Sequence, residues 1–84
     1  MSENSFQASL SALLLSIGSS AAMALGLAPN PTSGDIKVDK KLAKFNIDLL
    51  LILEEKTKNN LSSEETKLLQ SLIHDLRVKF VQAK

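Results

Sequence analysis

Between Glu3 and Asp35 the chain carries no charged residue, and its central part, Phe6 to Leu27, reads FQASLSALLLSIGSSAAMALGL. An 84-residue chain with so long an uncharged segment must hide it in its own core, in a partner or in a bilayer. Apolar residues recur at Phe6, Leu10, Leu13, Ile17, Ala24 and Leu27, which is helical rather than strand periodicity. Ser20 interrupts this stripe, while Leu14, Leu15, Ala21 and Leu25 widen it. A helix that is apolar around most of its girth is normally buried on nearly all sides. Ser5 is the expected N-cap, because its oxygen can accept from free N–H groups of the first turn. A first helix is therefore predicted over about residues 5–27.

A second pattern runs along the same helix. Ala8, Ala12, Ser16, Ser20 and Ala24 form one ridge of small side chains, and Gly18, Ala22 and Gly26 form its neighbour. Small ridges let another helix backbone come close. The plainer reading, that alanine and serine fit a tight core, also requires a second helix nearby. The candidate interface residues are Phe6, Leu10, Ala12, Leu13, Ser16, Ile17, Ser20 and Ala24.

A stretch of this length is also long enough to span a bilayer. Five serines and two glycines between residues 6 and 27 lower its hydropathy, and the chain has no Trp or Tyr to anchor at an interface. Lys37, Lys40, Lys41 and Lys44 follow the segment and would keep the C-terminal part on the cytoplasmic side. A helix buried in protein is favoured, with a membrane span through residues 6–27 as the alternative. The opening MSENSFQ holds Glu3 and no Lys or Arg, the wrong charge for a signal peptide, which favours a cytoplasmic location.

The length allows one small domain, 1–84, and a chain of this size is marginal alone. Hydrophobic residues nevertheless make up 44% of it, so part of its apolar surface is expected at an interface. A net charge of +1, with three Phe and no Trp or Tyr, offers neither a basic stripe nor stacking platforms and argues against nucleic acid. The lack of cysteine excludes disulfides, thiolate zinc sites and cysteine nucleophiles.

Gly26 is a candidate helix stop, and Pro29 and Pro31 lie in a loop over 28–38. A second helix is predicted over about 39–57, capped by Asp39. Leu42, Phe45, Leu49 and Ile52 form its stripe, thickened by Ile47, Leu50, Leu51 and Leu53. Asn59 and Asn60 suit a helix stop, and Ser62 with Glu65 reads as a capping box. A third helix, about 63–82, carries Leu69, Leu72, Ile73, Leu76 and Phe80 on one side. The short link implies that helices 2 and 3 form an antiparallel hairpin.

Reactive groups are sparse. His74 has no second His or any Cys with which to hold a metal. The three glycines are scattered, so there is no phosphate loop. Glu54-Glu55 and Glu64-Glu65 are adjacent residues at helix ends, where solubility and capping account for them. No catalytic, cofactor-binding or metal residue is assigned. Asp48, Asp75 and Arg77 stand among apolar residues and form either a register-fixing polar contact or independent solvated charges.

The segments LAKFNIDLLLILEEKTKNNLSSEE and LIHDLRVKFVQA resemble the bacterial family catalogued as domain of unknown function 1844. The resemblance rests on Ile47-Asp48-Leu49-Leu50, Glu54 to Leu61, and Asp75 to Phe80. Asn59 departs from it, standing where the family pattern leads one to expect glycine. The resemblance implies a short all-helical bacterial protein and brings no activity or ligand. The sequence thus reads as an all-α, non-enzymatic interaction module. Its partners would be copies of itself or other protein subunits. The alternative is a single-span accessory subunit of a membrane complex.

Overall fold

Three helices account for the regular structure of residues 8–83, which the computed structural model describes: α1 (Leu10–Ala24), α2 (Lys40–Lys56) and α3 (Ser63–Gln82). Among the described residues there is no strand, only an isolated antiparallel bridge between Leu25 and Val38. The all-α class and the number of helices are as the periodicity predicts.

The first helix is shorter than the apolar run that produces it. Ser9, in extended backbone, is the N-cap and accepts from the Ala12 N–H at 3.0 Å. The expected cap, Ser5, lies outside the described residues, as does Phe6. At the other end Gly26 takes a φ of 77°, a conformation that suits glycine. Its N–H donates to the Met23 carbonyl and that of Leu27 to the Ala22 carbonyl, which satisfies the last free carbonyls of the helix. Helix α1 therefore has 15 residues and rises roughly 22 Å, against ~30 Å of hydrocarbon in a bilayer. No helix among the described residues is long and apolar enough to cross a membrane.

The loop after α1 is organised by Asn30. Its side-chain oxygen accepts from the N–H groups of Thr32 and Ser33, and its backbone N–H donates to the Asp35 carbonyl. The Leu25–Val38 bridge and an Asp39 N–H donated to the Ala24 carbonyl at 2.6 Å then bring the start of α2 to the end of α1. Asp39 caps α2 by accepting from the Leu42 N–H. The turn after α2 contains Asn59 at φ 69°, so the asparagine adopts the left-handed backbone that the expected glycine would have served. Ser62 and Glu65 form both halves of a capping box, at 3.1 and 2.9 Å. Lys40, the first residue of α2, lies over the Phe80 ring at 4.2 Å and donates to the Ala83 carbonyl. The beginning of α2 thus sits beside the end of α3.

The core is drawn from all three helices: Leu14, Ala21 and Ala24; Ala43, Ile47 and Leu50; Leu69, Ile73 and Leu76; with Leu25 beside them. The buried Ala21 and Ala24 of α1 and Ala43 of α2 are small residues of the kind that let packed helices come close. The stripe expected on α2 is not its buried line. Its buried line is Ala43, Asn46, Ile47 and Leu50. The expected stripe turns outward, with Leu42, Phe45 and Ile52 exposed and Leu49 half-buried. Two apolar lines run along α2, one residue step or about 100° apart. The line carrying the small Ala43 faces the neighbouring helix, and the line carrying the bulky Phe45 does not.

Two stability outcomes follow. Leu50 is fully buried, so Leu50→Ala is expected to destabilise by about 2–5 kcal/mol, whereas Val81→Ala, at a residue 80% exposed, should leave the denaturant midpoint unchanged. Ser62→Ala removes the cap on α3 and is expected to cost about 1 kcal/mol in the same urea titration.

Candidate interaction surface

The ridge of small residues predicted as an interface divides along its length. Ala12, Leu13 and Ser16 are exposed, Leu10, Ile17 and Ser20 are half-buried, and Ala24 is buried in the chain's own core. Only its first turns remain open. The neighbouring small ridge serves a contact within the chain. Gly18 is buried, and a Cβ there would meet the Leu72 side chain of α3 at 3.1 Å. Close helix approach through small residues, which the sequence suggests for a partner, is thus used first between α1 and α3 of the same molecule.

The polar candidates are not brought together. Asp48 pairs with Lys44 one turn earlier on α2, at 2.8 Å. Asp75 and Arg77 are exposed on α3. Within one chain, no hydrogen bond or ion pair among the described residues joins Asp48, Asp75 and Arg77. The Lys44–Asp48 pair is open to solvent, where such contacts are worth ~0.3–0.5 kcal/mol. His74 is exposed and lines an open groove of about 640 Å³ along α3, with Arg77, Val78 and Val81. No cluster of three or more His, Cys, Asp or Glu side chains suited to a metal occurs among the described residues.

What remains outside is apolar. Among the described residues ten large hydrophobic side chains are exposed, as many as the ten residues of the buried core. On α2 the exposed line is Leu42, Phe45 and Ile52, 46, 58 and 52% accessible, with half-buried Leu49 completing it. Next to its first half, Ser20 and Met23 of α1 and Leu42 and Phe45 of α2 border a cleft of about 780 Å³. Sequence reasoning implies contact with α2 from two directions, since the run Leu49 to Leu53 is apolar on all sides, but does not tell its outer line from its inner one. It missed the buried Asn46, whose side-chain amide donates to the Leu42 carbonyl at 3.0 Å. The signal that separates the two lines of α2 is Ala43, the small residue that marks the inner one.

No curated protein and no solved structure matches the chain. The family model described as Domain of unknown function (DUF1844) matches residues 7–82. That span takes in all three helices, both links and the outward stripe of α2, and the chain belongs to this family.

Proposed function

We propose that this chain is a non-enzymatic helical assembly module, which joins protein chains, and first of all copies of itself, through apolar surface left open by its fold. The observation that carries this reading is the balance of buried and exposed apolar residues. Three helices share one small core, so each has one side turned inward and the rest turned out. Among the described residues ten large apolar side chains are exposed, as many as the buried core holds, an arrangement that marks contact surfaces on soluble proteins. The reactive inventory supports the non-enzymatic part. His74 makes no side-chain hydrogen bond among the described residues, and the acidic residues converge on no common point there.

Light scattering and sedimentation of the purified protein test the proposal. Dimers or larger assemblies are expected at micromolar concentration, dissociating on dilution. A folded monomer at every concentration, with no protein partner retained on purification, would overturn it. His74→Gln is expected to leave helicity and assembly unchanged, read by circular dichroism and sedimentation. Loss of assembly with the fold intact would instead give the imidazole a role.

A further inference from the structure

Helix α2 carries its charges against its own dipole. Lys40 and Lys41 open it, no acidic residue lies in its first turn, and Glu54 and Glu55 stand near its end, with Lys56 the one base in the last turn. A lone helix is stabilised by the reverse placement, acids first and bases last. Capping does not account for this, because Asp39 already caps the start, and the contact with Phe80 and Ala83 of the same chain accounts for Lys40 alone. A second helix lying alongside in the opposite direction does. Its acidic end meets the basic start of the first, and the two dipoles oppose.

We propose that α2 pairs with α2 of a second copy about a two-fold axis, running in opposite directions. Leu42, Phe45, Leu49 and Ile52 form the seam, and Lys41 of each copy lies against Glu55 of the other. The proposal rests on the self-assembly reading above and assigns it a surface. The seam has spacings of three, four and three, the alternation that keeps a line of side chains facing a partner helix. It also reads the same from either end. A two-fold axis across its middle therefore sets Leu42 against Ile52 of the other copy, and Phe45 against Leu49, each twice. The seam residues are the outward line of the helix, so the pairing takes nothing from the chain's own core.

Lys41, Asp48 and Glu55 follow one another at seven-residue spacing beside the seam, with Lys41 and Glu55 exposed and Asp48 half-buried. In the opposed arrangement the first meets the last, which gives two Lys41–Glu55 pairs by symmetry. The central Asp48 meets its own copy at the axis. Each Asp48 already holds its Lys44 at 2.8 Å, so the axis brings together two neutralised pairs rather than two bare carboxylates. Helices running in the same direction gain none of this. Lys41 would then face Asn46 of the other copy, a residue buried in its own chain. The open part of the α1 ridge, Ala12 and Ser16, has no charge with which to select a partner.

Charge exchange decides the matter, read by sedimentation equilibrium on the full chain. Lys41→Glu and Glu55→Lys each turn two attractions into two repulsions and are expected to weaken dimerisation by about tenfold. The double variant, Lys41→Glu with Glu55→Lys, is expected to recover wild-type association to within a few fold. Both changes suit the helix dipole, so a loss of assembly cannot be assigned to a weakened α2. Phe45→Glu should abolish the dimer with helicity retained. If that variant does not fold, the charge series still decides. A wild-type chain that is monomeric throughout overturns both this pairing and the self-assembly reading. A wild-type dimer indifferent to the single reversals, or a double variant left unrestored, overturns the α2 pairing alone.

Discussion

Close approach of helices through small side chains is the contact on which this structure depends. Ala21, Ala24 and Ala43 are buried in the core that α1 and α2 share with α3, and Gly18 lies under Leu72 of α3. Small residues shorten the distance between helix axes, which draws all three helices onto one core. The core of so short a chain is small, so side chains such as Phe45 and Ile52 remain outside although they are large and apolar.

The chain is held in this arrangement by its turns as much as by its core. The glycine stop after α1, the bridge from Leu25 to Val38 and the cap at Asp39 act over a few residues. Together they fix where α2 begins relative to where α1 ends. The turn through Asn59 and the capping box at Ser62 do the same between α2 and α3. Lys40 then ties the start of α2 to the last turn of α3, over Phe80 and onto the Ala83 carbonyl. This contact matters because Ala83 follows the final helical residue, where an unpaired carbonyl attracts a cation. Each helix start therefore has a side-chain cap, and α2 is fixed in position relative to both of its neighbours.

That fixed position gives meaning to the charges on α2. Lysines in the first turn and glutamates near the end, offset only by Lys56, work against the dipole of an isolated helix, and a stable fold does not require such an arrangement. Under the pairing proposed above, the same charges become a pattern that a copy of the chain reads. The inner line, Ala43, Ile47 and Leu50, is buried in the fold, and the outer line is exposed.

The number of helices, their class and most of their ends were legible in the sequence, because these are local properties. Gly26, Asp39, Asn59 and the Ser62–Glu65 box act within one turn of where they stand, and short-range hydrogen bonding decides them whatever the rest of the chain does. The start of α1 was misjudged because Ser5 and Ser9 both precede apolar residues and are equally good caps by type; the structure caps the helix at Ser9. The orientation of α2 could not be read from periodicity, since two apolar lines one residue apart satisfy the same helical repeat. Which of them faces inward depends on how close a neighbouring helix can come. That is a property of the other helices, among whose buried residues are the small Ala21 and Ala24. The sequence by itself determined three capped helices with more apolar surface than so small a chain can cover. Only the tertiary structure decided which surface stays uncovered, because burial is settled between helices and not within them.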